Sequence, residues 1–312
     1  MSSVPISAPA STFEDAIQPF QVEDARVRGR LVRLGPTLDS ILGARALPSA
    51  AEGILAEAVT LAALLASGFK YKGVFTLQTQ GDGPIGLMVA DMTSEGALRG
   101  YARVDAARVA AAERGGSAPV PRLLGAGNLS FTLDQGAGTE RYQGIVALEG
   151  ARLGECIQTY FRQSEQLETA IVIAENCSDR TGATPRRAAA LMVQRLPPEP
   201  ATLDEDAEED WRRVVTLASS VTAAELLDDR LKPTDLLARL FHEDGVRAYR
   251  VRKIRHACRC SRAKVERTLA AFPRAEIEDL AVDGMVTVTC EFCGTHYRFD
   301  MDALARLYVG NA

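Results

Sequence analysis

The chain reads as an α+β protein. It should have a large N-terminal domain with a mostly antiparallel sheet and a few helices, a helical linker, and a small C-terminal domain built on four cysteines. Three observations predict this. Strand-like runs interrupted by only a few helical patterns fill residues 27–196, an order that suits an antiparallel sheet better than repeating βαβ units. A strongly acidic stretch, Asp204 to Asp210, precedes three short helical patterns. Cys258 and Cys260 form one close pair and Cys290 and Cys293 another, with 29 residues between the pairs. The expected boundaries are a flexible arm over 1–23, a core domain over 24–198, an acidic helical linker over 199–248 and a cysteine domain over 249–312.

Taken in order, residues 1–22 are rich in Ser, Pro and Ala and predict a loose arm. Val27 to Leu34 has strand character. Ser49 to Ser67 predicts a helix, with Ile54, Leu55, Ala58, Leu61, Ala62 and Leu65 on one face. Strands are expected at 73–79, 85–91, 98–104, 127–133 and 142–148, and Gly81-Asp-Gly-Pro84 fits a turn between the first two. Residues 153–166 predict a helix, and 170–174 with 188–196 a closing hairpin around a Gly/Pro loop. Pro197 to Pro200 ends the core.

In the linker, Trp211, Val214, Val215, Ala218 and Val221 recur at helical spacing. Thr222 and Glu225 match a capping box before Leu226 and Leu227. Pro233 to Phe241 then supplies Leu236, Leu237, Leu240 and Phe241. Isolated helices shorter than ~12–15 residues are marginal in water, so these must dock on something to persist. They are either a docked connector or a metastable segment that undocks. In the cysteine domain a helix is expected over 261–271, strands over 286–290 and 297–299, and a closing helix over 301–308.

Bulk properties narrow the function. A net charge of −5 and a pI near 5.5 argue against general nucleic-acid binding. No basic stretch followed by an apolar one opens the chain, and the most apolar run, Ala58 to Ala66, is too short to span a bilayer. A cytoplasmic location is expected, where thiols stay mostly reduced. No Walker loop, G-x-S-x-G elbow or H-E-x-x-H pair is present, so the expectation is a protein that is not an enzyme.

Two compact cysteine pairs in one small domain suit four thiolates around one Zn²⁺, and a core of about 60 residues needs such a staple. The C-terminal module is therefore read as a zinc-binding domain with Cys258, Cys260, Cys290 and Cys293 as ligands. His256 and His296 are rival ligands. Vicinal thiols this close can also oxidise, which points to a redox switch. Nine basic residues lie between Arg247 and Arg267: Arg247, Arg250, Arg252, Lys253, Arg255, Arg259, Arg262, Lys264 and Arg267. They favour thiolate, or form a solvated face, or make the module a zinc-ribbon nucleic-acid binder, which is the alternative reading. Cys156 and Cys177 lack close partners and are expected to be buried and inert.

The arrangement Cys-x-Cys, 29 residues, Cys-x-x-Cys resembles the redox-regulated 33-kDa heat-shock chaperone family of bacteria. Supporting segments are Leu98-Arg-Gly-Tyr101, Tyr160-Phe-Arg-Gln-Ser-Glu-Gln166, Glu225-Leu-Leu227, Leu240-Phe-His-Glu243, Cys258-Arg-Cys-Ser-Arg262 and Cys290-Glu-Phe-Cys-Gly-Thr-His-Tyr297. The resemblance implies an ATP-independent holdase that is inactive when reduced and zinc-bound. It implies oxidation to disulfides Cys258–Cys260 and Cys290–Cys293, loss of zinc, and undocking of the linker. It also implies that unfolded clients bind and that the oxidised form dimerises. The client surface would comprise Trp211, Val214, Val215, Leu226, Leu227, Leu236, Leu237, Leu240 and Phe241.

Overall fold

The chain divides into two compact units, residues 1–256 and 257–312. The computed structural model describes residues 14–113, 120–136, 139, 141–177, 184–197 and 206–309. Most of the expected arm, the 198/199 boundary and Asp204 lie outside that set.

In the first unit the elements run β1 (Ala16–Val22), β2 (Val27–Leu34), α1 (Pro36–Leu42), α2 (Ser49–Ala66), β3 (Val74–Gly81), β4 (Ile85–Thr93) and β5 (Ala97–Val104). They continue with α3 (Ala106–Glu113), α4 (Val120–Leu124), β6 (Gly127–Asp134), β7 (Tyr142–Ala147), α5 (Leu153–Gln163), β8 (Thr169–Glu175) and β9 (Ala188–Arg195). The linker supplies α6 (Asp206–Ser219), α7 (Ala223–Leu227) and α8 (Pro233–Phe241), followed by three short strands, β10 (Val246–Ala248), β11 (Arg252–Lys253) and β12 (Arg255–His256). One sheet has the order β10-β1-β2-β9-β8, with β11 also on β1, and the other the order β12-β5-β4-β3-β6-β7. Among the described strand pairs only β12–β5 is parallel, so the fold is the expected α+β type with mostly antiparallel sheets.

Helix α2 packs against strands of both sheets. Its sequence is apolar nearly all round, so it has no face to give to water, and a helix of that kind belongs in a core. By length and hydropathy alone it could cross a membrane, yet 89% of the span is buried within the protein. Gly100 on β5 allows the close approach of sheet and helix: a Cβ there would lie 2.4 Å from a Val59 methyl.

Strand alternation gives the first sheet two apolar faces. Ile17, Val32, Leu34, Ala188, Ala190 and Met192 join the core with α2. Phe20, Val22, Val27, Leu31, Ala189, Leu191 and Val193 point the other way, and the linker covers them. Trp211, Val214, Leu226, Leu236, Leu237 and Phe241 are buried in that second cluster, while Val215, Leu227 and Leu240 are half-buried against it. Phe20 and Phe241 stack with ring centroids 5.7 Å apart. The capping box of α7 forms as expected, with Thr222 accepting from the Glu225 amide and the Glu225 carboxylate accepting from the Thr222 amide.

Two boundaries differ from expectation. Residues 16–22, assigned to the arm, form β1, with Ile17, Phe20 and Val22 buried. Pro19 makes the segment look irregular, but it falls in the gap between the residues that pair with β10 and with β11, so its missing N–H interrupts neither ladder, and its carbonyl accepts from the Tyr249 amide at 2.9 Å. Residues 249–256, assigned to the cysteine domain, belong to the first unit, because their backbone groups pair with β1 and β5. Sequence reading also missed α1. Its N-cap, Gly35, has no side chain, and Asp15 does the capping from β1's side of the chain, accepting from the Gly35 and Thr37 amides at 2.6 and 2.7 Å.

Gly29 on β2 leaves the space that Phe20 fills, since a Cβ there would sit 2.0 Å from the ring's Cζ. Gly29→Ala should therefore displace Phe20 from Phe241 and destabilise linker docking by about 1–3 kcal/mol. Trp211 is the sole tryptophan, so its emission should shift to the red. Unchanged emission and unchanged melting would show that docking does not depend on this stack.

Candidate functional site

The second unit contains α9 (Arg262–Leu269), α10 (Arg274–Glu278), the hairpin of β13 (Met285–Thr289) and β14 (His296–Asp300), and α11 (Met301–Val309). Its core is small: Leu269, Ile277, Val286, Phe299 and Leu304 are buried. Arg262 stacks over Phe299 at 4.3 Å and closes one side.

Two turns bring the four cysteines together. Cys290 and Cys293 sit in the β13–β14 turn, where the Gly294 amide donates to the Cys290 carbonyl at 2.9 Å and Gly294 takes the left-handed conformation (φ +69°). Cys258 and Cys260 precede Ser261, whose hydroxyl caps α9 by accepting from the Lys264 amide. All four sulfurs lie within 4.8 Å of one another. Cys258 and Cys290 are 3.7 Å apart and Cys260 and Cys293 3.4 Å. Four sulfurs at about 2.3 Å from a tetrahedral ion would be about 3.8 Å apart, so the cluster can hold a metal ion with little movement. The surroundings support that use: the Tyr297 hydroxyl donates to Cys260 Sγ at 3.1 Å, and Thr295 Oγ1 lies 3.2 Å from Cys293 Sγ. Such contacts orient thiolate ligands and stabilise their charge.

The thiols differ in acidity. Burial pushes Cys260 up to about 12 and raises Cys290. Burial also opposes ionisation of Cys293, but hydrogen bonds with Thr295 and the neighbouring thiols bring it down to about 6. The surroundings of Cys293 thus favour its charged form.

Neither histidine joins the cluster. His296 points its Nδ1 at Thr289 Oγ1, 2.8 Å away. His256 lies on β12 in the first unit, where burial lowers its pKa. The basic run is likewise divided between the units. Arg247 pairs with Glu23, Lys253 lies 3.9 Å from Glu14, and Arg262 pairs with Glu266. Arg252 donates to the Ser67 carbonyl and Lys264 to that of Arg259. The second unit as a whole has seven Lys and Arg against eight Asp and Glu. That balance does not favour the nucleic-acid reading.

The linker surface is the other candidate element. Beyond its apolar contacts, Arg33 on β2 donates to the carbonyls of Glu225, Asp228 and Leu231 at 3.1, 3.1 and 2.5 Å. Arg187 donates to the Leu227 carbonyl and to Asp229, and Arg213 on α6 reaches Asp244 beyond α8. Sequence reading found the apolar stripe but not these arginines, whose partners are mostly backbone carbonyls and leave no pattern in the sequence.

A two-unit protein with a four-thiol centre and a helical segment masking an apolar sheet face is thus defined. Comparison with known proteins places it further. The family model described as Hsp33 protein matches residues 15–300. The 33 kDa chaperonin of Caulobacter vibrioides is 36% identical over 297 residues, covering 95% of this chain and 98% of that protein. The 33 kDa chaperonin of Nitrosococcus oceani is 37% identical over 299 residues, covering 95% and 94%. The crystal structure of the 33 kDa chaperonin from Thermotoga maritima superposes with a TM-score of 0.79 at 26% identity, over 96% of this chain and 99% of that one. The chain belongs to the Hsp33 family of heat-shock chaperones.

Cys156 and Cys177 lie fully buried in the first unit, and burial pushes their thiols up to about 11 and about 12. In reduced protein stripped of metal, a thiol reagent at neutral pH should modify Cys293 first. Cys156 and Cys177 should react only on denaturation. Fast labelling of either buried thiol, read by peptide mass, would contradict this placement.

Proposed function

We propose that this protein is a redox-regulated, ATP-independent holdase of the cytoplasm, switched by the four cysteines rather than by catalysis on a substrate. The observation that carries the proposal is the linker: its apolar stripe masks an equally apolar sheet face, so one segment hides two surfaces suited to unfolded chains. In the reduced state Cys258, Cys260, Cys290 and Cys293 hold one Zn²⁺ per chain. The ion supplies folding energy to a unit whose described residues bury only five apolar side chains in its core, on the order of 10–16 kcal/mol in small zinc-finger peptides.

Oxidation converts the thiolates to Cys258–Cys260 and Cys290–Cys293 disulfides. Each pair gives up two electrons, for instance to peroxide, which is reduced to water. The four ligands are lost together, and the second unit loses the zinc's contribution to its folding. Docking of α6, α7 and α8 then depends on their own contacts, and each buried Leu or Phe contributes roughly 1.5–3 kcal/mol. Undocking presents Trp211, Val214, Val215, Leu226, Leu227, Leu236, Leu237, Leu240 and Phe241 to clients, and the oxidised protein associates as a homodimer through apolar surface exposed in this way.

Peroxide with mild heat should release one equivalent of zinc per chain and turn on suppression of light scattering by a thermally unfolding client, without ATP. Zinc-free oxidised protein that protects no better than reduced protein would overturn the proposal. Leu236→Asp combined with Leu240→Asp should undock the linker while zinc stays bound, giving partial protection in the reduced state. If hydrogen exchange across 206–245 stays equally slow before and after oxidation, the linker is a connector and the client surface lies elsewhere.

A further inference from the structure

The segment Tyr160 to Gln166 has no part in the thiol centre or the linker surface, yet it builds a compact group of side chains. Tyr160 on α5 and Tyr142 on β7 meet with their hydroxyl oxygens 2.9 Å apart. Both phenols lie against one carboxylate oxygen of Glu165: Tyr160 donates to Oε1 at 2.6 Å, and Tyr142 donates to the same atom. A separation of 2.6 Å falls in the range of a charge-assisted O–H···O⁻ bond. Gly144 on β7 makes the approach possible, because a Cβ there would lie 2.3 Å from Phe131 and 2.8 Å from Tyr160. Behind the pair, Phe131 meets Tyr160 edge-on at 4.6 Å and stacks on Phe75. Tyr160 is 5% exposed and Tyr142 38% exposed, so a solvent-borne reagent reaches the second ring and, through it, the first.

This arrangement has the chemistry of a one-electron oxidation site. Burial first and the adjacent carboxylate second hold both phenols in their protonated form. Oxidising either ring therefore requires removal of an electron and a proton together, and Glu165 is the base already hydrogen-bonded to both protons. We propose that Tyr142 and Tyr160 form a radical-oxidant-reactive pair that crosslinks within the chain as dityrosine. Each ring gives one electron to a one-electron oxidant and its phenolic proton, by way of Glu165, to water. The two phenoxyl radicals join through one new C–C bond between ring carbons ortho to the hydroxyls. Rearomatisation returns the ortho hydrogens to the oxygens, so the net loss is two electrons and two protons. The bond ties the edge strand β7 to α5. Cys156 and Cys177, the two cysteines of the first unit, are buried and held as thiols.

The test uses the full-length protein and a one-electron oxidant, photoactivated ruthenium tris-bipyridyl with persulfate, at protein concentrations low enough to suppress collisions. Dityrosine fluorescence should appear in the monomer, and peptide mass spectrometry should join the peptides carrying Tyr142 and Tyr160. Tyr142→Phe and Tyr160→Phe should each abolish that crosslink, and Tyr249→Phe should leave it unchanged. Glu165→Gln should lower its yield several-fold with the circular dichroism spectrum unaltered. A crosslink whose yield is unaffected by Glu165→Gln would overturn the carboxylate's role as proton acceptor. Crosslinks that form only between molecules, that join other tyrosines, or that persist in Tyr142→Phe would overturn the proposal itself.

Discussion

The packing of the linker on the outer face of the first sheet is the contact on which the rest of this protein depends. An antiparallel sheet usually leaves one face to water. Here both faces of β1, β2 and β9 are apolar, one packed with α2 and the other with α6, α7 and α8. The outer face cannot remain bare without exposing Phe20, Val27, Leu31, Leu191 and Val193 together. The linker helices, of 14, 5 and 9 residues, cannot persist alone either. Among the described residues, each surface is what keeps the other from water.

That mutual dependence also explains which parts of the fold were legible in the sequence. Strands β2 to β9, the buried helix α2 and the three linker helices follow from hydrophobic spacing and were readable to within a few residues. The thiol tetrad was readable because two close cysteine pairs in a small domain leave few other uses. What was not readable depends on contacts far apart in sequence. Strand β1 has the composition of an arm and becomes a strand only because β2 and the segment 246–253 pair with it. Helix α1 depends on a carboxylate about twenty residues earlier, Asp15. The basic residues 247–256 look like a patch, but the backbone they ride on is edge pairing for both sheets. The same holds for the Tyr142–Tyr160–Glu165 group: β7 and α5 are each legible in the sequence, but nothing in it says that their side chains meet.

The polar contacts beneath the linker give the docked state its character. Arg33 is buried, and burial lowers its pKa to about 10, which leaves it charged at neutral pH. A cation held out of water carries a desolvation cost, and Arg33 recovers part of it by donating to three linker carbonyls. These bonds fix the position of the α7–α8 connection, since the acceptors must be presented at defined points along it. Were the linker to undock, the carbonyls and the guanidinium would both return to water and recover their desolvation costs. The apolar contacts hold the segment down while Arg33 sets its register. An arginine near the end of β2, on an otherwise apolar sheet face, therefore gives the segment one docked position.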